Sequence, residues 1–270
     1  MKVVDQLNRS ITLKKVPERI ISLVPSITET IHYLGLEDSV AGITKFCIHP
    51  ISWKRSKAIV GGTKTVNIDK VKKLDPDLII ANKEENSKED IEELAKLFPV
   101  YVSDIKSFDD FTEFTYAISK ITNTEEKGNQ LVTETFKVKH QIKNYFLKRE
   151  KLEVAYFIWK KPYMLAGNNT YINYILEFIG LTNSAKSLNG RYPELREGEI
   201  NPDYIFLSSE PYPFAEKHLK EFEKIYPKSK CFVVDGEVFS WYGPRILKLE
   251  SELLRILKLN NLSIHKFTTT

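Results

Sequence analysis

The sequence predicts an α/β protein of two like lobes with mostly parallel sheets, joined by one long backbone helix and separated by a ligand cleft. Three observations predict it. LDPDLIIA (74–81) and INPDYIFL (200–207) repeat one pattern: an apolar residue, a polar residue, Pro-Asp and a strand-like apolar run, followed by a polar turn carrying acid. Short apolar runs alternate with amphipathic segments in both halves of the chain, the rhythm of parallel α/β folds. Between the halves, residues 124–150 keep a helical period with no Gly or Pro except Gly128.

Residues 1–16 read as a short hairpin lid, with Asn8-Arg9-Ser10 as the turn. RIISLV (19–24) suits a strand buried on both faces. Ser26 then stands as N-cap with Glu29 three residues on, the capping-box spacing, and Gly35 stops the helix. A strand at 40–43, a long loop through Gly61-Gly62 and a short helix at 67–73 follow. Strand 77–81, helix 87–97, strand 100–102 and helix 108–121 complete an N-terminal Rossmann-like lobe over 1–122.

The connecting helix is assigned to 123–150. Leu131, Thr135, Val138, Ile142, Tyr145 and Phe146 recur at helical spacing. A helix of ~27 residues extends ~40 Å at 1.5 Å per residue, long for a crossover inside one lobe. The pattern then restarts over 151–270. EVAYFIW (153–159) is a strand, and TYINYILEFIGL (170–181) is a helix ending in Ile-Gly-Leu, as the earlier helix ends in Leu-Gly-Leu (34–36). Strand 203–207, helix 215–225, strand 231–234 and helix 244–257 complete the second lobe.

The 270 residues are 42% apolar and 28% charged, the balance of a globular protein with ample core. The net charge of +4 is mild and its basic residues are scattered, which argues against nucleic acid binding. No apolar run reaches the ~18–20 residues of a membrane span. The first ten residues contain no apolar signal-peptide core, so the expectation is a cytoplasmic protein or one whose leader has been removed. Cys47 and Cys231 form no CxxC pair and suggest no disulfide scaffold.

In parallel α/β sheets ligands bind beyond the carboxyl ends of the strands, so the loops there supply the candidate residues. Cys47 and His49 lie two apart after strand 40–43. They suit one pocket, and as metal ligands they are too few for a stable site by themselves. Gly61-Gly62-Thr63-Lys64 lacks the full phosphate-loop spacing and reads as a plain turn that points Lys64 inward. Glu84 and Glu85 follow strand 77–81. In the second lobe come Trp159, then Arg191 and Tyr192, then Glu210, Tyr212 and His218, then Trp241, Tyr242 and Arg245. Several Trp and Tyr at loop tips favour a lined pocket, each ring supplying a flat wall with a polar handle. Arg191 and Arg245 suit carboxylate, phosphate or amide groups on a ligand rim.

RIISLVPSITE (19–29), GGTKTVNIDKV (61–71), LDPDLIIA (74–81) and DGEVFSWYGPR (235–245) together resemble the helical-backbone (cluster-type III) periplasmic-binding family, across essentially the whole chain. That family serves cobalamin, haem and ferric-siderophore importers. FCIHP (46–50), RYPE (191–194), SSEPYPF (208–214) and SWYGPR (240–245) are similar to a cobalamin-binding-protein-like subgroup. The resemblance implies non-catalytic binding of a cobalamin-like corrinoid or other metal chelate in the interlobe cleft, by a monomer that delivers it to an ABC transporter permease. It implies no cofactor beyond that ligand. The aromatic that stacks on corrin near the GGTK position is replaced here by Thr63-Lys64-Thr65, while Trp241 and Tyr242 match aromatic positions of the late cleft loop. Family carriers dock through one acid on each lobe; Asp69 fits the first, and Glu197, beside a shortened segment, is the counterpart in the second. An alternative is an intracellular enzyme or metallochaperone that reuses the cleft with Cys47, His49 and Glu210, and a third is an interaction scaffold with a vestigial cleft.

Overall fold

The computed structural model describes residues 1–143, 152–196 and 198–259. It opens with an antiparallel hairpin of β1 (Lys2–Val4) and β2 (Ser10–Thr12), in which Lys2 faces Thr12 and Val4 faces Ser10. Asn8 holds the turn at a φ of 60°, a left-handed conformation that Asn tolerates.

The first parallel sheet contains β3 (Ile20–Ser22), β4 (Val40–Ile43), β5 (Ala58–Ile59), β6 (Leu78–Asn82) and β7 (Val100–Ser103), in the order β5-β4-β3-β6-β7. Its helices are α1 (Pro25–Tyr33), α2 (Trp53–Ser56), α3 (Ile68–Leu74), α4 (Lys88–Ala95), α5 (Phe108–Ile121) and α6 (Glu125–Ile142). The second sheet contains β8 (Glu153–Trp159), β9 (Met164–Leu165), β10 (Thr182–Asn183), β11 (Tyr204–Ser208) and β12 (Lys230–Val234). The order β10-β8-β11-β12 is parallel throughout, and β9 adds to β8 antiparallel. Its helices are α7 (Tyr171–Phe178), α8 (Leu219–Ile225), α9 (Gly236–Ser240) and α10 (Leu249–Leu259).

The two sheets share one topology: β4-β3-β6-β7 has the same connection pattern as β10-β8-β11-β12. By contact density the chain divides into two compact units. One is Met1–Thr135 with Trp241–Pro244; the other contains the described residues of Phe136–Ser240 and those from Arg245 on. The first is filled by Ile21, Leu23, Ile79, Ala81, Leu94 and Val102. The second is more aromatic, with Phe157, Phe214 and Phe222 beside Ile205 and Leu207.

The repeated Pro-Asp has one structural job in both units. The Asp77 carboxylate accepts the backbone N–H groups of Glu18 and Arg19 at 2.9 Å each, and its own N–H donates to Arg19 O. The Asp203 carboxylate accepts Glu153 N at 2.8 Å, and its N–H donates to Glu153 O. Each Asp therefore clips the start of its strand to the start of the central neighbour, β3 or β8.

Several boundaries differ from the sequence expectation. Helix α1 is capped by Val24 in extended conformation with no side-chain cap, and Pro25 occupies N1. Pro lacks the N–H that a cap would satisfy and its φ is set for the first turn, so Ser26 lies inside the helix, buried. The expected helix 244–257 is a 3₁₀ turn, Pro244–Lys248, followed by α10, and 215–225 likewise begins as a 3₁₀ turn, Glu216–His218. Of the expected long helix, α6 covers Glu125–Ile142; residues 144–150 lie outside the described residues. Helix α6 is tied to α1 by the Tyr33 hydroxyl, which donates to Glu134 at 2.8 Å. Burial first, then that carboxylate, push the Tyr33 phenol up to about 12.

Candidate functional site

In the first unit β3, β6 and β7 each end in a buried polar residue, Ser22, Asn82 and Ser103, and Thr44 stands directly after β4. Buried polar groups need partners, and these partners build the loops above the sheet. Asn82 Oδ1 accepts Glu84 N and Glu85 N, curling the loop so that both acids follow at once. Asn82 Nδ2 donates to Ser103 O and Oγ at 3.2 and 3.1 Å. Asn86 Oδ1 accepts Asn82 N at 2.8 Å, while its Nδ2 donates to Thr63 O at 2.9 Å. Lys64 Nζ donates to Glu84 O and Asn86 O. The Gly61–Lys64 turn is thus pinned onto the Glu84–Glu85 loop. Gly61 has a φ of 114°, and a Cβ there would lie 2.5 Å from Thr65 O, so this turn needs Gly.

Glu85 reaches solvent but is enclosed enough that desolvation raises its carboxyl above the ordinary range. Glu84 adds to the rise and the Lys64 ammonium opposes it.

Cys47 is a correction. It is fully buried, accepts Thr28 Oγ1 at 3.0 Å and lies 3.2 Å from Thr44 Oγ1. Burial pushes the thiol up although the hydroxyls and a backbone N–H oppose it, so it is an inert interior group and not a wall of a pocket. His49, half-buried, goes elsewhere: its ring meets Trp241 edge-on at 5.8 Å and 69°. Among the described residues no three His, Cys, Asp or Glu side chains are grouped to hold a metal ion.

Trp241–Pro244 packs with the first unit. Tyr242 is buried there, its ring 6.5 Å from Phe111. Desolvation holds its phenol well above the usual range. Gly243, at a φ of 103°, sits so near α1 that a Cβ would be 2.5 Å from Thr30 Oγ1. Tyr242 is therefore an anchor and Trp241 the ring left half-buried, which corrects the expectation of two ligand-facing aromatics. Arg245 is also corrected: it is buried and pairs with Glu237 at 3.2 Å.

In the second unit Trp159 ends β8, is 40% exposed, and meets Tyr212 edge-on at 5.7 Å. Its Nε1 donates to Lys161 O. Tyr212 continues into Phe214 and His218. His218 is buried, and its Nδ1 accepts Ala215 N at 3.0 Å, which caps its own loop. Glu210 follows β11 and accepts Ser240 Oγ at 2.7 Å. Gly167 N donates to Arg191 O and Leu195 N to Tyr163 O, so the Arg191–Tyr192 segment lines up beside the loop after β8. Tyr192 is exposed and Arg191 half-buried.

Asp69 lies in the first turn of α3 with its side chain 88% exposed, 3.9 Å from Lys72 Nζ. Glu197 lies outside the described residues.

Sequence reasoning missed Asn82, Asn86 and Ser103, the scaffold of the first-unit loops. Their signal was position: a polar residue ending a buried strand. It also missed Phe46, half-exposed beside His49's loop, packed near Gly62 with Lys45 Nζ 5.0 Å from its ring centre. Together the first-unit loops present flat apolar edges (Phe46, Trp241), cations (Lys45, Lys64) and two carboxyls. Such a surface can hold a sizeable polar ring system without bonding to it covalently.

The profile of a family described as periplasmic binding protein matches residues 20–224. An uncharacterized ABC transporter substrate-binding lipoprotein of Bacillus subtilis (strain 168) is 28% identical, over 92% of this chain and 82% of that protein. A vitamin B12-binding protein of Vibrio cholerae (strain M66-2) is 25% identical, over 75% of this chain and 74% of its own length. The crystal structure of the periplasmic vitamin B12 binding protein of Vibrio cholerae superposes with a TM-score of 0.78 at 20% identity, covering 92% of this chain and 99% of that one.

Proposed function

The chain belongs to the periplasmic binding protein family, and from that premise we propose that it binds a cobalamin-like corrinoid or a related metal chelate as the substrate-binding component of an ABC-type uptake system. Its role is binding and not catalysis, as in the family. The observation that carries the ligand class is the similarity to a vitamin B12-binding protein of Vibrio cholerae, which aligns over three quarters of the chain. The first-unit loops support it chemically, since stacking edges and mixed charge suit a ring system with polar substituents.

The candidate contacts in the first unit are His49, Lys64, Glu85 and Trp241. In the second they are Trp159, Arg191, Tyr192, Glu210 and Tyr212. Cys47, Tyr242 and Arg245 act behind them as supports. Asp69 is proposed as a permease-docking acid because its carboxylate is exposed on a helix end. No helix among the described residues is long and apolar enough to cross a membrane. The lipoprotein and periplasmic relatives favour work on the outer side of the membrane, next to a permease.

Titrating the purified protein with cyanocobalamin, haem, a ferric siderophore and Zn²⁺ tests this by absorbance and calorimetry. Saturable binding of one chelate, weakened at least about tenfold by Trp241→Ala, is the expected result; loss of one stacking ring is of order 1–2 kcal/mol. Zn²⁺ binding abolished by His49→Ala, with no response to any chelate, overturns the reading in favour of a metal-handling protein.

A further inference from the structure

We propose that Glu85 meets the ligand as a neutral carboxylic acid and so selects a chelate with an amide rim over one with a carboxylate rim; this rests on the corrinoid reading above. Glu85 stands in the turn that Asn82 curls after β6, its own N–H donating to Asn82 Oδ1 at 3.1 Å. Among the described residues no hydrogen bond or ion pair reaches its carboxyl. The side chain reaches solvent, yet protein surrounds it closely enough for desolvation to raise its carboxyl. An acid so placed lines a concavity, with its hydrogen bond left for a ligand to make.

The charges around it favour the protonated form. On its own loop stands Glu84, whose charge adds to the rise. On the facing turn stands Lys64, the cation that opposes it, but that ammonium donates to Glu84 O and Asn86 O and is tied to the loop backbone. From the late loop comes Tyr242, its phenol raised chiefly by burial, with Glu85 and Glu84 adding to the rise; it stays neutral and brings no charge. Two carboxyls against one committed ammonium leave this corner unable to offset a further anion.

A ligand that covers Glu85 removes more water, which penalises the carboxylate and favours the acid with its O–H. An amide carbonyl is a neutral acceptor for that O–H. A ligand carboxylate instead sets like charges side by side, a contact that rejects as much as it binds. Binding an amide rim therefore takes up a proton. Affinity is greatest below the carboxyl value of the free protein and falls by about tenfold per pH unit above it, until the value in the complex is passed.

The test titrates wild type and Glu85→Gln by calorimetry from about pH 5 to about pH 8, in paired buffers of different protonation enthalpy. Two probes share one ring: aquacyanocobinamide, with an amide rim, and aquacyanocobyrinic acid, with a carboxylate rim. With cobinamide the wild type is expected to take up as much as about one proton and to bind at least about tenfold more weakly at the upper pH. Gln keeps a donor without the charge, so the variant takes up no proton and at the upper pH binds cobinamide at least about fivefold more tightly than the wild type. Cobyrinic acid binds the wild type at least about tenfold more weakly than cobinamide there, and Gln narrows the difference. A pH dependence that persists in Glu85→Gln belongs to another group, such as His49, and overturns the proposal. So does a variant that loses cobinamide at every pH, the mark of an ionised Glu85 accepting from amide N–H groups. Binding of neither probe overturns the corrinoid reading and this inference together, whereas cobinamide binding without proton uptake overturns this inference alone.

Discussion

Asp77 and Asp203 show a residue whose importance was legible and whose role was not. The repeated Pro-Asp marked equivalent places in the chain, but only the fold reveals the carboxylate clipping two parallel strands together. Replacing Asp77 with Ala leaves two backbone donors without their partner and is expected to lower stability by ~1–3 kcal/mol in urea unfolding, with Asp203→Ala costing less for its one donor. Glu85 gives a pH prediction. Its folded-state value is raised, so the folded protein holds that proton more tightly than the unfolded chain. The resulting stabilisation is complete below the ordinary carboxyl value of 4.5 and is lost as pH rises through the raised one. Glu85→Gln should therefore be more stable than the wild type near neutral pH and no more stable at about pH 4, measured by denaturant unfolding at both. Cys47 was misread because a Cys two residues from a His looks like a ligand pair. Nothing in the spacing could reveal that Thr28, on another element, turns the thiol inward. Native protein at pH 8 is expected to react with a thiol reagent far more slowly than unfolded protein, since burial also pushes Cys231 up to about 11.

At the scale of elements, strands were the most legible parts, because their apolar runs are short, continuous and bounded by turn residues. Strand β8 matches its expected limits residue for residue. Helix ends were less legible where backbone chemistry competes with side-chain caps, as at Pro25. Where a cap is used the side chain is conventional: Ser87, Ser107 and Thr170 each accept a backbone N–H from the first turn of α4, α5 and α7. Gly128 was noted only as the sole break in a helical run. It lies where α6 passes α5, and a Cβ there would stand 2.5 Å from Ser119 Oγ and 2.6 Å from Ser119 Cβ. Gly128→Ala is expected to destabilise by about 1–3 kcal/mol, because two packed helices must separate to admit the methyl group, despite the better helix propensity of Ala. A thermal melt of the variant checks it.

For the whole molecule, the ligand reading makes a thermodynamic prediction. A chelate present at a hundred times its dissociation constant adds about 2.7 kcal/mol to the stability of the folded state. For a chain of this size that raises Tm by roughly 5–11 °C, at about 2–4 °C per kcal/mol, whereas the free metal salt leaves it unchanged. Scanning fluorimetry with cyanocobalamin, haem and the corresponding salts separates the cases.

The sequence by itself determined the α/β class, the duplicated strand order and the family, because apolar periodicity and the Pro-Asp repeat are local signals written in consecutive residues. It also determined which loops hold the candidate residues, since strand ends follow from the strands. Only the tertiary structure decided which of those residues turn outward. Tyr242 is buried beside Phe111 and Arg245 pairs with Glu237, while Trp241 stays half-buried and Phe46 half-exposed. That choice depends on partners distant in sequence, whose hydrogen bonds and packing exist only once the chain has folded.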